Sequence, residues 1–73
     1  MDKELFVKKV GEIIRNYRED KKLSMEQLAL EAGIEYSQLS RIEKGKINTS
    51  IYNTYTIAKA LGISVAELFL VIS

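Results

Sequence analysis

The sequence predicts an all-α domain of five short helices, and three observations lead there. Apolar residues recur at intervals of three and four along most of the chain, no stretch alternates apolar and polar with a period of two, and Gly33, Gly45 and Gly62 fall where apolar stripes stop. With no proline, only four glycines, no internal repeat and no low-complexity stretch, 73 residues read as a single domain, 1–73, whose helices are joined by short loops.

The first helix runs from Lys3 to Lys22, with Phe6, Val10, Ile13, Ile14 and Tyr17 on one face. Gly11 inside it costs about 1 kcal/mol relative to alanine, and either allows close packing by another element or is a tolerated surface glycine. The second, Met25 to Ala32, has Ser24 and Gln27 in capping-box spacing, turns Leu28, Ala29 and Ala32 inward, and stops at Gly33. The third runs from Tyr36 to Lys44 with Leu39 and Ile42 three apart, and Gly45 closes it. After a polar loop, Lys46 to Ser50, the fourth spans Ile51 to Leu61, with Ile51, Tyr55, Ala58 and Leu61 at helical spacing. Ser64 caps a fifth, whose Val65, Leu68, Phe69 and Ile72 lie three to four apart, although the β-branched Val71 and Ile72 leave the final residues ambiguous.

Composition narrows the function. There is no cysteine and no histidine, so disulfides, the usual zinc ligands and a histidine or thiolate catalyst are missing. The serines lack a matched base and the carboxylates are scattered, so no enzymatic activity, metal or cofactor is expected. Stability must come from regular helix packing or from oligomerisation. The N-terminus has no signal-peptide apolar stretch, and the longest apolar run, residues 68–72, is far short of the ~20 needed to span a bilayer, so a cytoplasmic location is expected. A second, effector-sensing domain does not fit, so regulation would act through concentration, proteolysis or a partner rather than a small-molecule effector. The net charge of +1 is unevenly spread: residues 1–35 carry seven basic and eight acidic groups, whereas residues 36–66 carry Arg41, Lys44, Lys46 and Lys59 against Glu43 alone.

The second and third helices are separated by three residues including a glycine, the spacing of a helix-turn-helix whose second helix can enter the major groove of DNA. The string LSMEQLALEAGIEYSQLSRIEKG, from Leu23 to Gly45, resembles the core motif of the phage repressor and Cro-like family, also called XRE-type helix-turn-helix proteins. The resemblance continues through residues 51–61 and GISVAELF at 62–69, about nine-tenths of the chain. It implies a compact, lambda-repressor-like five-helix fold and a sequence-specific transcriptional regulator, a repressor or autoregulator.

On that resemblance, residues 36–44 are the recognition helix, and Tyr36, Ser37, Gln38 and Arg41 match the positions that face the bases. The chemistry fits: Gln pairs with adenine N6 and N7, Arg with guanine O6 and N7, Ser is less selective, and Tyr36 could touch a thymine methyl or a phosphate. Lys44, Gly45, Lys46 and Asn48 follow as phosphate contacts. Ser24 and Gln27, at the start of the second helix, either cap that helix, hold a phosphate, or do both. Arg18 and Glu43 match a family ion pair that fixes the third helix against the first; the alternative is two exposed charges. Met25 stands where the family commonly has a glutamine that holds phosphate, Glu35 where it often has a capping serine or threonine, and Thr49 where proline is common. These departures put one phosphate contact, the start of the third helix and the rigidity of the loop in question.

Family members typically present two recognition helices about one DNA turn, ~34 Å, apart on a near-palindromic site. A homodimer on double-stranded DNA is therefore expected, with Leu70 and Val71 assigned to its interface and Phe69 to the core. The alternative is an antitoxin-like or adaptor protein whose main partner is another polypeptide bound through the apolar C-terminus.

Overall fold

The computed structural model describes residues 1–70, and its elements are five helices: α1 Lys3–Asp20, α2 Met25–Ala32, α3 Tyr36–Glu43, α4 Ile51–Ala60 and α5 Val65–Leu70. No strand occurs among the described residues. None of these helices is long and apolar enough to cross a membrane.

Each helix gives at least one side chain to a common centre. Ile14 of α1, Leu28 of α2, Leu39 of α3, Ile57 of α4, Leu61 just after it and Leu68 of α5 are fully buried. Burial of a side chain of this size stabilises by about 1.5–3 kcal/mol, and these six form the middle of the core. Tyr17, Leu23, Met25, Ile34, Ile47, Ile63 and Phe69 pack around it half-buried. Phe69 stacks on Phe6, with ring centroids 5.9 Å apart and planes inclined by 11°, which ties α5 to the start of α1.

The helix starts are held by side chains. Asp2 accepts from the Leu5 amide, Ser50 from the Asn53 amide, and Ser24 and Gln27 complete the capping box. Ser64 accepts from the Glu67 amide at 3.0 Å while Glu67 accepts from the Ser64 amide at 3.3 Å, the same reciprocal arrangement on α5. At α3 the N-cap residue is Glu35, which makes no side-chain cap bond.

Four helices end alike. The amides of two consecutive residues turn back, the first to a carbonyl three residues earlier and the second to one five earlier, which is the Schellman closure. The pairs are Lys22 to Glu19 with Leu23 to Arg18, Gly33 to Leu30 with Ile34 to Ala29, Gly45 to Ile42 with Lys46 to Arg41, and Gly62 to Lys59 with Ile63 to Ala58. The first residue of each pair is left-handed. Three are glycine, but at the end of α1 it is Lys22, with φ of 58°. That turn therefore ends α1 at Asp20, two residues before the stop expected from the apolar pattern.

The apolar stripe of α4 is also corrected. Ile51 is 89% exposed and Tyr55 lies largely at the surface, while Thr54, Ile57 and Ala58 face inward. Thr54 can be buried because its hydroxyl donates to the Ser50 carbonyl at 3.0 Å, satisfying its polar group within the helix. Ile51, Tyr52 and Tyr55 are left on the outer side, with the two tyrosine rings 6.1 Å apart.

Candidate nucleic-acid interface

On α3, Leu39, Ile42 and Glu43 are buried, and positions 37, 41 and 44 lie on the opposite side of the helix. Ser37, Arg41 and Lys44 thus form an outward stripe, each exposed, with Gln38 half-buried on its flank and Tyr36 exposed at the first turn. Lys46 and Asn48 are exposed in the loop that follows.

The one carboxylate of this stretch is withdrawn from that surface. Glu43 is 6% exposed, and its Oε2 and Oε1 accept from Nε and Nη2 of Arg18 at 2.8 and 3.0 Å. Arg18 uses Nη1 to donate to the Leu23 carbonyl at 2.9 Å, so one guanidinium joins α1, the turn before α2 and the end of α3. Its hydrogen bond to Glu43 raises the Arg18 pKa above the ordinary guanidinium value, against the effect of burial. Of the two readings open in the sequence, the structure has the buried pair. Among the described residues Arg41, Lys44 and Lys46 take part in no ion pair, so the surface from residue 36 to 48 is positive.

Lys46 is exceptional among the four closures. The second amide donor is apolar and packed on the core in the others, as Leu23, Ile34 and Ile63, but at α3 it is an exposed lysine. Ile47, one residue later, supplies the core contact. The amide of Gly45 is committed to Ile42 O and that of Lys46 to Arg41 O, so both serve helix closure and leave the side chains of Lys46 and Asn48 as the loop's exposed polar groups.

Ser24 and Gln27 are exposed and occupied by the cap: Ser24 Oγ accepts from the Gln27 amide at 3.1 Å, and Gln27 Oε1 accepts from the Ser24 amide at 2.8 Å. The Ser24 hydroxyl proton and the Gln27 amide group are still donors, so the cap does not preclude an anion. Met25 is half-buried against the core rather than directed as a polar contact. Thr49, in place of proline, accepts from Asn53 Nδ2 at 3.1 Å, and this bond tethers the loop to α4.

Residues 14–68 match the sequence profile of the helix-turn-helix family. The chain belongs to the XRE-type helix-turn-helix family.

This helix-turn-helix protein is 41% identical over 61 residues to the HTH-type transcriptional regulator SlrR of Bacillus subtilis, covering 82% of this chain and 40% of SlrR. It is 37% identical over 59 residues to the immunity repressor protein of Bacillus phage phi105, covering 81% of this chain and 41% of the repressor. The chain thus spans about two fifths of either relative. Among solved structures it superposes on the restriction-modification controller protein C.AhdI from Aeromonas hydrophila with a TM-score of 0.87 and 37% identity, covering 89% of this chain and 98% of that one. The all-α, five-helix architecture is that of the family's lambda-repressor-like fold.

Of the residues assigned to a dimer interface, Leu70 is 71% exposed at the end of α5, and Val71 lies outside the described residues. Three features were not read from the sequence: the Asp2 and Ser50 caps and the left-handed Lys22. Asp2 and Ser50 each stand three residues before the amide they cap, a signal that was present; Lys22 carries no such mark.

Proposed function

We propose that this chain, a DNA-binding transcription regulator by family, reads a near-palindromic operator in double-stranded DNA as a cytoplasmic homodimer. Tyr36, Ser37, Gln38 and Arg41 contact base edges, and Lys44, Lys46 and Asn48 contact phosphates on one side of the groove. Gly45 closes the turn that carries Lys46, and Ser24 and Gln27 offer donors to the backbone from the start of α2. Leu70 lies in the interface between protomers. No catalytic step is proposed.

The observation that carries this reading is the charge distribution on α3 and its loop. Arg41, Lys44 and Lys46 face outward while Glu43, the acid between them, is turned inward onto Arg18. With Glu43 engaged inside the fold by Arg18, the exposed cations of this stretch have no acid beside them from residue 36 to 48, and a polyanion is the partner such a surface suits.

The test is selection of binding sites from random duplex DNA, with the selected duplexes re-measured at two salt concentrations. The expected result is an inverted repeat with half-sites about one helical turn apart, ~34 Å. Absence of an enriched sequence, or binding that is only salt-sensitive and indifferent to sequence, would overturn it in favour of a polypeptide partner held at the apolar C-terminus.

A further inference from the structure

Where α1 meets the end of α3, the contact is between backbones. A side-chain Cβ at Gly11 would collide with the carbonyl oxygen of Ile42 and lie 2.8 Å from that of Glu43. Gly45 reciprocates from the other side: a Cβ there would be 2.8 Å from Lys8 Cα and 2.7 Å from Lys8 Cγ. Positions 8 and 11 are one turn apart on α1, so the last turn of α3 and the residue that closes it lie directly along one stretch of α1. Glu43 is held at both ends, its carbonyl beside Gly11 and its carboxylate on Arg18 two turns further along the same helix.

We propose that Gly11 and Gly45 are positioning residues for DNA sequence selectivity, setting through backbone contact the placement of Arg41 and Lys46 relative to the rest of the domain. This rests on the recognition-helix reading above. Side chains at a helix crossing can change rotamer to absorb a shift, but two backbones in contact cannot, so the end of α3 is fixed without slack. Arg41 and Lys46 are themselves joined across that end, Lys46 N–H donating to Arg41 O at 2.9 Å, and anything that lifts it moves a base contact and a phosphate contact together. Bidentate base recognition depends on geometry, whereas non-specific attraction to phosphate depends mainly on charge. Displacement of α3 should thus lower preference for the operator more than affinity for DNA in general.

The test is Gly11→Ala, titrated against the selected operator and against a scrambled duplex. Alanine is the better helix former, so α1 itself is not weakened by the change. The variant is expected to keep the helical circular dichroism of the parent and about the same affinity for scrambled DNA, while losing about tenfold in affinity for the operator. A folded Gly11→Ala with the parent's operator-to-scrambled ratio overturns the proposal.

Should Gly11→Ala fail to fold, Gly45→Asn and Gly62→Asn form a matched pair. Both glycines are left-handed, at φ of 70° and 74°, a region asparagine tolerates, but a Cβ at Gly62 meets only the end of Lys21, at 3.3 Å. Gly45→Asn is expected to lose operator preference and Gly62→Asn to retain it; equal ratios for the two overturn the proposal. Arg41→Ala in the same titrations separates the two levels. If it keeps the parent ratio, the recognition-helix reading falls and this inference with it; if it loses the preference while Gly11→Ala keeps it, the positioning role alone is wrong.

Discussion

Arg18 grips Glu43 with two parallel N–H donors at 2.8 and 3.0 Å, and the pair is shielded from solvent, with side-chain exposures of 11% and 4%. In such a site the charges depend on each other. Arg18→Ala strands the Glu43 carboxylate in the interior and is expected to cost about 3–5 kcal/mol. A domain of this size holds only ~5–10 kcal/mol in all, so the variant should melt ~15 °C or more below the parent. Arg18→Lys, which keeps the charge but loses the planar fork, should fall between them. Thermal unfolding of the three proteins decides it; a Tm for Arg18→Ala within ~4 °C of the parent would mean that the pair contributes no more than a surface one.

Lys22 adopts φ of 58° where the equivalent position of α2, α3 and α4 is glycine. A side chain with a Cβ is disfavoured there, and Lys22→Gly should stabilise the domain by ~0.5–1 kcal/mol, raising Tm by about 4 °C. An unchanged or lower Tm would show that the long side chain offsets the strain.

Glu35 precedes α3 without bonding any of its free amides. Serine at that position can accept from one of them, so Glu35→Ser should add ~0.5–1 kcal/mol in chemical denaturation. It also removes a negative charge at the start of α3, and on the proposed DNA-binding reading tighter binding to all duplexes at low salt is the accompanying expectation.

Arg41 and Lys46 should separate in binding measurements. Arg41→Ala is expected to lose ~1–3 kcal/mol against the operator and to relax one base position, whereas Lys46→Ala should weaken every sequence alike and reduce the salt slope by about one. Titrations over a salt series, on operator and scrambled duplexes, distinguish these. Equal losses for Arg41→Ala on both duplexes would remove it from the base contacts.

Leu70 exposes 71% of its surface in the last described turn. On the proposed homodimer, Leu70→Lys should leave the circular dichroism intact and shift the sedimenting species from dimer towards monomer. A dimer as tight as the parent's would place the interface elsewhere on the domain.

Most of this fold was legible in the sequence, and the exceptions have physical causes. Gly33, Gly45 and Gly62 mark helix ends because a left-handed closure favours a residue without Cβ, and the Ser24 and Ser64 caps announce the helices that follow. The end of α1 was misplaced because the same closure is made there by Lys22. The inner face of α4 was misread because 51, 52, 55, 57, 58, 60 and 61 are all apolar or aromatic, so two stripes compete. Thr54, polar in composition but satisfied within its helix, decides which one turns inward. For the interface, spacing gave the buried side of α3 at Leu39 and Ile42, and the assignment of its outward residues to DNA came through the family resemblance. That Glu43 would be withdrawn from it depends on Arg18, distant in sequence, and came only through the family resemblance. Gly11 could not be settled at all, since its purpose is visible only when the carbonyls of Ile42 and Glu43 lie against it.

Lys46 occupies a position that the other three helix closures give to an apolar residue, while Ile47 beside it does the packing. The division leaves the loop's cation outside the set of residues that hold the domain together. On the proposed reading of Lys46 as a phosphate contact, attraction to nucleic acid and integrity of the domain sit under separate control, one residue apart.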